Sequence, residues 1–252
     1  MPNPSEVRVS PVEGIKRIAR GDDLSEIITE ALSRNGLELV DGDIVVVTQK
    51  VVSKSEGRLV ELAGVRPSRR AKAIAAELGR DARVVELALR ESRRVVRKGH
   101  GVLITETRHG FVCANSGIDM SNVEEGYVAL LPLDPDASSR RIRRGLERAT
   151  LKRLAVIVTD TFGRPWREGQ LDLAIGCSGI SPTQSLVGKR DPYGYLLKVT
   201  QPAVVDEVAA AAELVMKKLS MVPVAIVRGV AYQRGEAGVK SIVRKRQLDL
   251  FR

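Results

Sequence analysis

Apolar residues recur at Leu24, Ile27, Ile28, Ala31 and Leu32, the spacing that gives a helix one buried face. Asp22 or Asp23 stands where an N-cap is needed and Gly36 follows the end, so a helix is predicted over 22–34. Similar periodicity predicts helices over 67–78 and 81–93, parted by Gly79, a basic helix over 136–150, and an Ala-rich helix over 204–217 that is apolar on most sides. Short β-branched runs read as strands: EVRVS near the start, DIVVVT at 43–48, LAVIVTD at 154–160, LDLAIGC, LLKVT and VPVAIVRG. VLITET and FVCAN look like a pair joined by a turn at Arg108, His109 and Gly110. Helices and strands are interspersed without regular β-α-β repetition, so an α/β fold with a mixed sheet is expected rather than a doubly wound one. No internal repeat or linker interrupts the pattern, which predicts a single domain over 1–252, at most two intimately joined subdomains.

Composition sharpens this picture. Aromatic residues make up only 3 % of the 252, so Val, Ile, Leu and Ala must fill the core. No apolar run is long enough to span a bilayer, and the first residues lack a basic stretch followed by an apolar one. A cytoplasmic protein is expected, and two cysteines, Cys113 and Cys177, fit a reducing compartment as half-buried apolar side chains. The net charge of +10 points to anionic partners. Nucleic acid is the weakest of these, because no helix-turn-helix, stacking aromatics or zinc spacing accompanies the charge. The Arg-rich stretch 140–144 reads most simply as a solvated helix face, and His100 and His109 as ordinary loop residues.

The chain has neither a standard phosphate loop nor a G-x-G-x-x-G string. Two segments nevertheless concentrate chemistry. One, NSGIDMSNVEEG, follows a strand and carries Asp119 and Asn122. The other, TDTFGRPWREG, places Asp160 and Thr161 at the end of a buried strand. Magnesium and manganese favour oxygen ligands, commonly one or two carboxylates with substrate phosphates and water. Asp119 and Asp160 are a candidate pair, with Thr161 adding a neutral oxygen; satisfied carboxylates at strand-end turns are the plainer reading. Arg164 and Arg167 have the guanidinium geometry to grip a carboxylate or phosphate. Lys50 and Lys54, four apart after a buried strand, are either exposed cations or phosphate contacts. Trp166 is either a buried anchor or a pocket wall.

These segments, together with PVEGIKRI, VVVTQKVVSKSEGR, and VDEVAAAAELVM followed by VPVAIVRG, resemble the successive motifs of the coenzyme F420-0:L-glutamate ligase family, in the family's order and over nearly the whole chain. The resemblance implies a family-specific mixed α/β fold, an intertwined homodimer, and a GTP-dependent ligase. Such a ligase forms an amide between L-glutamate and the F420-0 deazaflavin precursor, then adds a γ-linked glutamate, using magnesium or manganese with help from potassium. By matching motif positions, Asp119 and Asp160 would bind one divalent ion and Thr161 a second. Ile15, Lys16, Arg17, Ile18, Gln49, Lys50, Lys54 and Asn122 would contact GTP. The chemistry the resemblance implies proceeds through an acyl phosphate. Asp160 is the candidate to serve it, and Arg164 and Arg167, on their own guanidinium geometry and their place just after Asp160 and Thr161, are expected to act there on an anion.

One stretch departs from the family pattern. After the Ala-rich helix the family usually carries glycines and an acidic residue that serves the second ion and GTP. Here the chain reads Met216 to Pro223 without either. Lys218 then becomes a candidate phosphate contact and a substitute for the second ion; capping the preceding helix is the plainer role for it and Lys217. The departure also keeps open a second reading, a weakened paralogue that binds a nucleotide or coenzyme F420 as a sensor or partner subunit.

Overall fold

The computed structural model describes residues 6–251. In chain order the elements are β1 (Arg8–Pro11), α1 (Leu24–Arg34), β2 (Ile44–Thr48), α2 (Gln49–Ser55), β3 (Leu59–Glu61), α3 (Arg69–Leu78), α4 (Ala82–Arg90), β4 (Ser92–Gly99), β5 (Val102–Thr107), β6 (Val112–Ala114), β7 (Tyr127–Ala129), α5 (Pro135–Thr150), β8 (Ala155–Arg164), β9 (Arg167–Ser178), α6 (Val204–Met216) and β10 (Val224–Arg228). Helix starts follow the chemistry of their caps. The Asp23 carboxylate accepts from the N–H groups of Ser25 and Glu26, Ser68 and Asp81 cap α3 and α4, and Asp134 caps α5 just ahead of Pro135.

The main sheet has the order β1-β10-β2-β8-β9. Only β2 and β8 run parallel; every other pairing in it is antiparallel, which makes the sheet mixed as the sequence predicts. Successive residues of β2 and β8 from Val45 to Val47 and from Val156 to Val158 are fully buried, so both faces of the centre are covered. The helices α1 and α5 pack on each other, α5 lies on β8 and β9, and α6 crosses β9, β10 and β1. A smaller layer, β4-β5-β6 with α3 and α4, has its own apolar cluster around Ala71, Ile74, Val85, Ala88 and Leu103.

Three expectations change. The helix predicted over 81–93 stops at Arg90, and Ser92 already opens β4, where Val95 and Val96 take the extended form that β-branched side chains favour. The residues after β2, where the sequence pattern predicted no helix, continue directly into α2. LLKVT is no strand: Leu196 makes a lone bridge to Arg190, and Val199 is 87 % exposed. The sheet offers this segment little to pair with on β9, because the carboxylates of Asp206 and Asp136 already accept the Ala174 and Cys177 N–H groups.

Candidate active site

The site arises from unequal strand lengths. β2 ends at Thr48, opposite Thr159 of its parallel neighbour β8. β8 continues five residues further, paired only with β9, as a two-stranded ribbon that turns at Pro165 and Trp166. Ligands of open α/β sheets favour the crevice beyond the carboxyl ends of parallel strands, and here a cavity of about 960 Å³ opens at that point. The parts of the chain that line it include residues 15–19 ahead of α1, the start of α2, the segment 119–124, and the ribbon residues Thr159, Asp160, Thr161, Gln170 and Asp172. Glu213, Met216, Lys217 and Lys218 at the end of α6 close it.

Helix α2 sets the cationic side. Lys50 and Lys54 are four apart and so share a face. The Lys50 ammonium lies 2.8 Å from an Asp119 carboxylate oxygen and donates to Ser121 Oγ at 2.8 Å. Lys54 donates to the Asn122 carbonyl at 2.8 Å. Gln49 is 2 % exposed; its Oε1 accepts from Ser53 Oγ, while Nε2 has no partner among the described residues, a buried donor left for whatever fills the cavity. Asn122, held at a positive φ of 53°, reaches with Nδ2 to the Lys218 carbonyl at 3.3 Å and so ties the 119–124 segment to the end of α6. Arg17 pairs with Glu124 across the rim.

The carboxylates differ in state. Burial works to raise the Asp119 carboxyl, but the Lys50 ammonium and the Ser121 N–H overcome it and hold the group below the usual range. Burial pushes the Asp160 carboxyl up to about 8, and the neighbouring charges of Asp119 and Asp172 add to that, against a Thr161 backbone N–H and Lys50. Lys54 is lowered by burial and by the nearby Lys50 and Arg17 charges. Asp119 and Asp160 bring carboxylate oxygens to the cavity, donors that fit a hard divalent cation, and Thr161, next along β8, brings a hydroxyl oxygen. Among the described residues no three His, Cys, Asp or Glu side chains converge as a cage. An ion there would complete its shell from substrate oxygens and water, the usual habit of magnesium.

The structure therefore brings together Ile15, Lys16, Arg17, Ile18, Gln49, Lys50, Lys54, Asp119, Asn122, Asp160, Thr161 and Lys218 around one cavity. Arg164 and Arg167 stand apart, opposite each other at the ribbon tip, where the Arg164 guanidinium is taken up by the Glu168 and Gly169 carbonyls. Trp166 is no buried anchor: it is 71 % exposed beside them and packs against Phe251, because the turn carries it off the sheet. Sequence reasoning missed Asp172, whose carboxylate accepts from Thr159 Oγ1 at 3.0 Å and from Thr161 Oγ1 at 2.7 Å. Its one signal is a charged residue between two leucines in the otherwise apolar run LDLAIGC. Arg143 is no solvated residue either; it binds Glu147, Ser178 and Glu236. Cys113 and Cys177 are buried, with thiols pushed by burial up to about 12, far from the reactive thiolate.

Residues 14–229 match the family described as F420-0:Gamma-glutamyl ligase. The chain belongs to that ligase family. It is 47 % identical over 244 residues to the coenzyme F420:L-glutamate ligase of Methanothermobacter thermautotrophicus, covering 96 % of this chain and 97 % of that one. It is 43 % identical over 251 residues to the enzyme of the same name from Methanopyrus kandleri, covering 98 % of both. The Archaeoglobus fulgidus enzyme of that name is 44 % identical over 247 residues, 98 % of this chain and 96 % of its own. Every residue that lines the cavity, from Ile15 to Pro223, falls inside the part matched to the ligase family. No helix among the described residues is long and apolar enough to cross a membrane.

Proposed function

We propose that the protein joins L-glutamate to the terminal carboxylate of the coenzyme F420-0 precursor at the expense of GTP, and works in the cytoplasm as a homodimer. The observation that carries this reading is the meeting of Lys50 and Lys54 with Asp119 and Asp160 in one cavity, where anionic phosphates and a divalent ion can be held side by side. Residues 15–18, Gln49, Lys50, Lys54, Asn122 and Lys218 hold GTP. Asp119 and Asp160 take one magnesium or manganese ion and Thr161 a second, with potassium assisting; such ions, when bound, neutralise phosphoryl oxygens.

In the reaction the precursor carboxylate attacks the γ-phosphorus, the bond to the β-phosphate oxygen breaks, and GDP leaves. The glutamate amine then attacks the acyl carbon, phosphate departs, and the amine loses a proton. Catalysis of this kind is mainly positioning and charge stabilisation. Lys50 and Lys54 offset charge on the phosphoryl oxygens, Lys218 faces them from the end of α6, and the Gln49 Nε2 donor is satisfied by the ligand. A carboxylate on the Thr161 side, supplied by Asp172, suits a metal ion there and leaves Lys218 to the phosphates.

The test is incubation of purified protein with F420-0, glutamate, GTP and manganese, read by mass spectrometry for an added glutamyl unit. Product formed only with GTP and metal supports the reading. Tight binding of GTP or F420 without product supports the second one, a sensor or partner subunit, which the two lysines facing the cavity from an altered segment favour.

A further inference from the structure

A hydroxyl carries one hydrogen, and what it does with that hydrogen decides what its oxygen can offer. Both Thr159 Oγ1 and Thr161 Oγ1 sit within hydrogen-bond distance of the same carboxylate, each on its own oxygen of Asp172. Both hydroxyls donate to it, and the Thr161 oxygen is left with its lone pairs free. The register explains the trio. Asp172 lies directly opposite Thr161, and Thr159 is two residues along the same strand, so all three share one face of the β8–β9 ribbon. A bulge of β9 at Ile175, where the ladder steps from Val158–Gly176 to Thr159–Ala174, sets that register next to the cavity. Asp172 is 5 % exposed and Thr159 1 %, so water competes little for these bonds.

We propose that Asp172 is a positioning residue: its carboxylate fixes the Thr161 hydroxyl as a pure electron-pair donor toward a divalent cation in the cavity and places a negative charge behind it. The proposal rests on the reading that Thr161 faces such an ion. Carboxylates behind a ligand act this way in metal sites, orienting it and raising its basicity, and their loss typically weakens the metal about 10- to 100-fold. An asparagine at this position would accept one hydroxyl hydrogen but present an amide hydrogen to the other threonine. Where that is Thr161, its own hydrogen is turned toward the cation.

The experiment titrates manganese into the full-length protein with GTP present and no acceptor, and follows bound ions by electron paramagnetic resonance. The wild type is expected to bind two ions. Asp172→Asn should weaken one of them about 10- to 100-fold and leave the other unchanged. Thr161→Val should lose the same ion, and the double variant should lose no more than Thr161→Val alone. Thr159→Val, which leaves the Asp172–Thr161 bond in place, should retain both, and it guards against reading a general loss of fold as a site effect. Two ions bound by Asp172→Asn as tightly as by the wild type would overturn the positioning role while leaving the ligase reading untouched. A wild type that binds no manganese with GTP would overturn the metal reading and this inference together.

Discussion

Asp160 stands one residue past the last rung that β8 shares with β2, and that rung, Thr48 with Thr159, already lines the cavity. A half-buried carboxyl pushed up to about 8, with Asp119 and Asp172 nearby, gains strongly from a bound cation. Asp160→Asn removes the charge at nearly constant shape. It should lower the rate of ligation by at least about a hundredfold, the scale of losing one electrostatic contact to a transition state. Circular dichroism and the melting temperature should hold near wild-type values; full turnover at limiting manganese would remove the assignment. That Asp119, Asp160 and Thr161 would share a cavity was legible through the two dense motifs and the family resemblance; the local pattern alone favoured satisfied carboxylates at turns. Asp172 was not legible. Its meeting with Thr161 depends on the β8–β9 register, and a shift of one residue would turn it to the other face. Gln49 was legible only through family resemblance, since nothing local shows that its amide would be left without a partner.

At the scale of elements, the periodic helices and the β-branched strands could be read directly, whereas junctions that lack punctuation could not. Thr48 passes into α2 without a side-chain cap, glycine or proline, so the helix that presents Lys50 and Lys54 looks like loop. In TDTFGRPWREG the glycine and proline mimic loop, although β8 runs through to Arg164. Two polar contacts between elements have measurable weight. Asp43, fully buried, accepts from the Arg228 guanidinium at 2.8 and 2.7 Å and so clasps the start of β2 to the end of β10. Asp43→Ala leaves that cation unpaired, and urea unfolding should show a loss of about 3 kcal/mol, at the lower end for a broken buried pair because Arg228 reaches solvent. Glu86 of α4 accepts from the Ser68 N–H at the start of α3 and from Arg90. These bonds, with Ser68 first, hold its carboxyl down to about 2 from an ordinary 4.5. A depressed carboxyl stabilises the fold above its unfolded value and loses that contribution as pH falls through the folded one. Glu86→Gln should therefore lower the melting temperature at pH 7, and the gap to wild type should close between pH 4.5 and about 2. A gap that stays constant over that range would assign the effect to packing.

At the scale of the molecule, one region lies apart from the core. Between Gln184 and Pro202 the chain runs out and back as an irregular hairpin joined by its own backbone bonds, including Leu186 N–H to Thr200 and Leu197 N–H to Lys189. Tyr193 is 97 % exposed and Val199 87 %, with Val187, Tyr195 and Leu196 also open. Contiguous exposed apolar side chains mark association surfaces more often than solvated ones. The homodimer is part of the function proposed above, and an arm that packs little on its own subunit is the element proposed to reach across its two-fold axis, where each copy contributes the same patch. Light scattering at micromolar concentration should give twice the 27.4 kDa of one chain. Replacing Tyr193 and Val199 together with serine should shift that mass toward the monomer. Because neither side chain lines the cavity, the monomer should still bind GTP. A wild type that is monomeric under these conditions would refute the dimer, and a serine variant that stays dimeric would place the interface elsewhere on the surface.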